Sequence, residues 1–257
     1  MRIRQDVELA NASDVGCVRA VNEDYFLYIE PEDEEEFARR GRLMVVADGM
    51  GGRSGGEVAS RLAAEALRDC FRAAEESDPR QVLIEGFQLA HRAILEQGHA
   101  EPELLGMGST CCAAIFRDQK MYYGHVGDSR IYLIRKEEIE QLTEDHSLVA
   151  EMVREGALTE EEAEHHPQRN VITQALGVDS DTLKGDFPPE PLALEIGDII
   201  LMCTDGLTTK VDRREIALTV CCQPLSAACR ELVALAKVRG GPDNITVQTL
   251  AIRQVKP

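Results

Sequence analysis

Basic residues are in short supply in this chain of 257 residues: 28 lysines and arginines face 46 aspartates and glutamates, a formal net charge of −18. Nucleic acid and anionic membrane both call for a positive stripe that displaces counterions, so neither is an expected partner. An anionic substrate stays admissible if metal cations supply the local positive charge. Long apolar stretches are missing too. Runs such as Ile199 to Cys203 fall far short of the roughly 20 residues that a membrane span needs. No apolar core follows the arginines of "MRIRQDVELANASD", so no secretory leader is expected. The eight cysteines form no CxxC or CxxH spacing, which predicts a reduced, cytoplasmic chain rather than a disulfide framework. Two adjacent pairs, Cys111-Cys112 and Cys221-Cys222, lie in apolar-periodic segments and are expected in the core. Internal repeats and long linkers are also absent, so one domain over 1–257 is expected.

What is present is a sequence of blocks. Residues 43 to 47, "LMVVA", read as a buried strand. From Gly55 an amphipathic helix runs through Val58, Leu62, Ala66 and Cys70, until "SDP" at 77–79 breaks it. A second helix follows, with Leu83, Phe87, Ala90 and Ile94 on one face. Short β-branched and aromatic runs at 109–116, 120–126 and 130–135 predict consecutive antiparallel strands. A charged, helix-prone segment with a glycine break (roughly 144–170) reads as an exposed helical flap. "DIILMC" is another buried strand, "RREIALTVCC" and "LSAACRELVALAKV" are helical, and "NITVQTLAI" is a closing strand with alternate positions inward. Strands and helices in blocks predict an α+β class, antiparallel sheet covered by helices. The acidic run "EPEDEEE" at 30–36 is expected to be a solvated loop.

The stretch "VVADGMGGRSGGEVAS" at 45–60 has the strand, glycine turn and helix that often hold phosphate. It fits neither nucleotide template. Counted from Gly49, the third glycine of a dinucleotide fingerprint is Ser54; counted from Gly51, the lysine of a P-loop is Glu57. What remains is an acid, Asp48, closing a buried strand, and the chain repeats that device. Asp24 lies in "RAVNEDYF", Asp128 in "GHVGDSRIY", Asp205 in "IILMCTDGL" and Asp243 in "GGPDNITV". Taken singly, each is ordinary turn chemistry, since aspartate hydrogen-bonds its own backbone. Taken together, four of the five adjoin apolar strand runs, and carboxylates so gathered cannot all ionise without a cation. All-oxygen ligation favours magnesium or manganese over zinc, and the Gly49 carbonyl is a further available oxygen. Arg19 precedes Asp24 by five residues; beside a carboxylate–metal site it suits a bidentate grip on phosphate, and alone it is a surface arginine near Glu23.

In order along the chain, "VRAVNEDYF", "VVADGMGG", "GSTCCAAIF", "GHVGDSRIYLI", "LTEDHSLV", "NVITQALG", "ILMCTDGLT" and "GGPDNITV" resemble the metal-dependent serine/threonine protein phosphatases of type 2C, in their bacterial form. The resemblance runs from about Arg19 to Asn244. It implies two packed antiparallel β-sheets flanked by helices, a four-layer α-β-β-α sandwich, with a two-metal cleft at one edge. Residue by residue it implies Asp48 as the carboxylate bridging two Mn2+ or Mg2+ ions and Gly49 as a carbonyl ligand. Asp205 and Asp243 complete the first site, Asp24 with Glu23 holds metal-bound water, and Asp128 shares a third, weaker metal with Asp205. Arg19 is implied as the phosphate clamp, so Arg19, Asp48 and Asp205 carry the catalysis. The implied reaction is hydrolysis of phosphoserine and phosphothreonine in proteins by a metal-activated water, opposing a serine/threonine kinase. One position departs from the eukaryotic pattern: Met50 stands where a histidine is the proposed general acid, and it cannot donate a proton. The hypothesis here is that water at the Asp128 site protonates the leaving group. His146, in "DHS", is either an orienting group or a structural one; His125 reads as ordinary packing, and the adjacent His165 and His166 point apart on a helix. Two other readings compete: a phosphatase-like binding module without catalysis, and a different metal-dependent hydrolase of small phosphates or nucleic acid. No expected acid is missing, which weighs against the first.

Overall fold

The computed structural model describes residues 3–51, 55–74, 78–178 and 183–254. Ser54 and Ser77, which bear on the glycine-turn and helix-break expectations, lie outside them. The strands are β1 (Val7–Asp14), β2 (Asp24–Ile29), β3 (Arg42–Met50), β4 (Gly108–Ser109), β5 (Cys111–Arg117), β6 (Lys120–Val126), β7 (Arg130–Arg135), β8 (Glu138–Gln141), β9 (Leu192–Ala193), β10 (Ile199–Cys203) and β11 (Ile245–Ile252). The helices are α1 (Glu34–Arg40), α2 (Gly55–Ala73), α3 (Pro79–Ala100), α4 (Leu148–Arg154), α5 (Glu160–Glu164), α6 (Asp205–Thr208), α7 (Arg213–Cys221) and α8 (Leu225–Val238). One sheet has the order β1-β11-β10-β7-β8, the other β2-β3-β5-β6-β9 with β4 beside β3. All of these pairs are antiparallel.

The central strands are buried on both faces, and their alternation sorts side chains between cores. Leu43, Val45 and Ala47 of β3 pack under α2 and α3, whereas Met44 and Val46 meet the other sheet. In β11, Ile245, Val247 and Ala251 face α7 and α8, while Leu250 enters the space between the sheets. Three apolar layers therefore separate four structural layers, α-β-β-α, as anticipated. The closing strand differs from expectation in one respect: its other face is buried as well, covered by the second sheet.

Local chemistry fixes the element ends. Asp78 accepts a hydrogen bond from the Arg80 amide and Pro79 takes the first turn, so α3 begins where the previous helix stops. The flap holds two short helices, one on each side of the glycine break. Ser147 caps α4, Gly156 at φ +74° ends it, and a Thr159–Glu162 capping box starts α5.

Two expectations are corrected. The acidic run is not all loop. Asp33 caps α1, whose first turn carries Glu34, Glu35 and Glu36, where negative charge complements the helix dipole. Glu30 is buried, accepting from the Arg4 amide at 2.8 Å and the Tyr28 hydroxyl at 2.7 Å. Of the paired cysteines only Cys111 and Cys112 are buried. Cys221 and Cys222 sit at the exposed end of α7, where the helix's apolar stripe has already turned inward at Val220.

Candidate metal centre

Antiparallel pairing delivers acids from both sheets to one end of the sandwich. Asp24 begins β2 and Asp48 lies near the end of β3, directly opposite it in register. Asp128 sits in the turn from β6 to β7, after Gly127 at φ +102°. Asp205 follows β10 and opens α6, and Asp243 lies just before β11. The structure thus brings all five predicted acids together: Asp24, Asp205, Asp128 and Asp243 all act on the charge of Asp48. Gly49 is packed so closely that a Cβ would collide with the Gly56 carbonyl oxygen, which accounts for glycine there.

Three of the acids, Asp48, Asp24 and Asp243, are held by polar neighbours. The Asp48 amide donates to Thr110 Oγ1 at 3.1 Å, and its carbonyl accepts from the Thr110 amide at 2.8 Å and Ser109 Oγ at 2.9 Å. Thr204 Oγ1 donates to Asp24 Oδ2 at 2.9 Å and accepts from the Thr246 amide at 3.0 Å. Asp243 accepts from Arg19 Nη2 at 2.7 Å through Oδ2, and from the Asn244 amide at 2.8 Å through Oδ1. Asn244 in turn accepts from the Glu23 amide at 2.8 Å and donates to the Val15 and Val21 carbonyls, fixing the loop that carries Arg19. Arg19 stays half-exposed, 3.7 Å from Glu23. These supporting residues escaped the reading of the sequence, apart from Glu23; the one signal for some of them is that serine, threonine or asparagine flanks an acid in "GDS", "CTDG" and "PDN", whereas Ser109 and Thr110 in "GST" have no acid beside them.

Electrostatics shows the cost of this gathering. Burial pushes Asp24 and Asp128 up to about 7 and Asp205 up to about 6, with neighbouring carboxylates adding to each. Asp48 rises well above the carboxylate range for the same reasons. Hydrogen bonds from Thr246 and Thr204 pull Asp24 part of the way back. Arg130, half-buried and paired with Asp145 at 2.7 Å, does so for Asp128 and Asp205 through its positive charge. Glu23 Oε1, Asp24 Oδ1 and Asp205 Oδ1 are buried without a hydrogen-bond partner. Unsatisfied buried carboxylate oxygens are expensive, and a hard divalent cation satisfies them with its preferred donor. The residues fit such an ion.

A family model for protein phosphatase 2C matches residues 20–237. The chain belongs to the protein phosphatase 2C family. Among relatives, the protein phosphatase PhpP of Streptococcus pneumoniae is 38% identical over 253 residues, covering 96% of this chain and 98% of that one. The solved serine/threonine phosphatase PstP/Ppp of Mycobacterium tuberculosis superposes with a TM-score of 0.82 at 35% identity, covering 96% of this chain and 99% of the other. The catalytic domain of a phosphatase PstP solved with two manganese ions gives 0.81 at 33% identity, with coverage of 96% and 99%. The two-sheet architecture is therefore the protein phosphatase 2C fold, and this family member is a metal-dependent serine/threonine protein phosphatase.

Proposed function

We propose that this phosphatase hydrolyses phosphoserine and phosphothreonine esters of proteins with Asp48, Asp205, Asp243 and the Gly49 carbonyl holding two divalent ions. Asp24 with Glu23 supports their water, and Asp128 serves a third ion with Asp205. The observation that carries this reading is the set of orphaned oxygens on Glu23, Asp24 and Asp205 inside a buried acidic cluster. Bound metal would supply a water activated near neutral pH and would offset charge on the phosphoryl group. The chain's own residues do the rest. Arg19, anchored through Asp243 yet half-exposed, turns its free guanidinium edge to the phosphate oxygens. Met50 holds no transferable proton, so the leaving oxygen takes its proton from the Asp128 side of the site.

We further propose that 1–257 forms one catalytic domain, which the pairing of β1 with β11 supports, and that the flap contributes to substrate choice. Two Mn2+ or Mg2+ ions occupy the core site. A serine/threonine kinase supplies the phosphoproteins that this enzyme consumes. The eight free cysteines suit a reducing cytoplasm; among the described residues no helix is long and apolar enough to cross a membrane.

The test is phosphate release from a phosphothreonine peptide with manganese, with EDTA, and with Asp205→Asn. Manganese-dependent release, lost with EDTA and reduced at least about 100-fold in the variant, is the expected result. A folded, manganese-loaded protein that releases nothing would instead be a binding module.

A further inference from the structure

Outside the acidic cluster, His125, His146 and Asp186 bring ligand-type atoms within 4.8 Å of one another. His125 and Asp186 exchange backbone hydrogen bonds, each 3.0 Å. The two imidazoles stack with centroids 4.6 Å apart and planes 27° from parallel. A metal is the obvious occupant, yet the proton count rejects it. The Gly127 amide donates to His146 Nδ1 at 3.1 Å, so the proton of the neutral ring sits on Nε2, where it donates to Asp186 Oδ2 at 3.2 Å. The Nε2 lone pair that a metal would need is absent. His125 Nε2 likewise meets the Glu144 carbonyl at 2.7 Å.

The same bonds describe a different device. His146 takes both backbone polar groups of Gly127: its Nδ1 receives the Gly127 N–H, and its backbone N–H donates to the Gly127 carbonyl at 3.0 Å. On its other side, that turn is pressed against Thr110, since a Cβ at Gly127 would lie 2.6 Å from the Thr110 Cβ. Thr110 is the residue that clamps the backbone of Asp48. Asp128 is the next residue along the turn. The His146 carbonyl accepts from the Thr173 amide at 2.8 Å, and Ser147 bridges to Ile172, so both ends of the flap meet at this histidine.

We propose that His146 is a positioning residue that holds the Gly127–Asp128 turn in its metal-binding geometry and ties that geometry to the base of the flap. The inference rests on the reading of Asp128 as a metal ligand. An imidazole suits the role because one ring nitrogen accepts from Gly127 while the other donates to Asp186; an asparagine amide at this position keeps the first of these bonds and a glutamine amide, one methylene longer, overshoots it.

The experiment is Mn2+ titration of the full chain, with free Mn2+ followed by electron paramagnetic resonance, for wild type, D128A, H146A, H146Q and H146N. D128A is expected to lose the weakest binding event. H146A and H146Q are expected to weaken that same event about tenfold, the worth of one outer-shell partner, and to leave the tighter events within about twofold. H146N, whose Oδ1 can accept from Gly127 at the place of Nδ1, is expected to return to within about threefold of wild type. A merely structural role would not produce the contrast between asparagine and glutamine. That contrast carries the test even if H146A fails to fold. If D128A weakens Mn2+ binding while H146Q does not, or if H146N is as weak as H146Q, the positioning role is overturned. If D128A binds Mn2+ as wild type does, the assignment of Asp128 as a ligand falls first, and the role of His146 falls with it.

Discussion

Asp24 and Asp128 hold protons at pH values where an exposed carboxyl, with its usual value of about 4, has lost them. In the metal-free protein the folded state therefore binds more protons than the unfolded state between about pH 4 and about pH 7, the window opened by the raised values. Their contribution to stability is complete below that window and drains away as pH rises through it. In EDTA the melting temperature is expected to fall from pH 5 to pH 7.5. In saturating manganese the fall should vanish, because metal replaces the protons and binds more tightly as pH rises. Scanning calorimetry across pH in the two buffers checks this, and parallel curves would contradict it. At this scale the five aspartates are legible in sequence because each stands at a strand end or turn beside glycine, asparagine or apolar residues. The partners that hold them are not. Thr110, Thr204 and Asn244 act through hydrogen bonds between residues up to 229 positions apart, and a single sequence carries no periodicity for such pairs.

Among elements, what the reading of the sequence recovered follows periodicity. The strands β3, β10 and β11 have dense apolar runs because layers cover both of their faces, and the helices α2, α3, α7 and α8 each carry one apolar stripe against a sheet. Strands β1 and β8, with half-buried and exposed positions, carry a thinner pattern and escaped notice. The acidic stretch before α1 reads as loop by charge alone, because a helix of seven residues with no buried side chain leaves no stripe. The short α6 shows how an element serves the site. It begins at Asp205 immediately after β10, and its Gly206 lies so near the Asn244 carbonyl that a Cβ would overlap it. Gly206→Ala must therefore push α6 away from the Asp243–Asn244 turn that leads into β11. It is expected to cost about 1–3 kcal/mol, the usual penalty of overpacking, and to weaken manganese binding at least about tenfold. Urea unfolding and metal titration measure the two effects. A loss of stability with unchanged metal affinity would mean that α6 does not hold Asp205 in register.

Taken whole, the molecule carries a net charge of −18 and acts on substrates that are themselves anionic at the phosphate. Bound cations reverse the sign only within the cleft, so the surrounding field selects what approaches. Phosphopeptides flanked by lysine or arginine are expected to show a kcat/KM a few-fold above that of acidic ones at low salt. Raising salt toward 0.15 M, where the screening length is about 8 Å, should narrow that gap from both sides. Steady-state assays on a matched pair of peptides measure it. A gap indifferent to salt would assign the preference to contacts in the flap instead.

The register of β1 against β11 has a further bearing. Val7 faces Ile252 at one end of the pair, and Asp14 faces Ile245 at the other, two residues from Asp243. The paired length of 8 residues spans roughly 27 Å at ~3.4 Å per residue. Val7 and Ile252 thus stand side by side, a full strand's length from the acids. A surface linkage made beside Val7 or Ile252 would emerge at the back of the molecule, leaving the cleft open to large substrates. A short link between Val7 and Ile252 would close the fold into a ring, which could be reopened at an exposed loop without cutting any strand of either sheet.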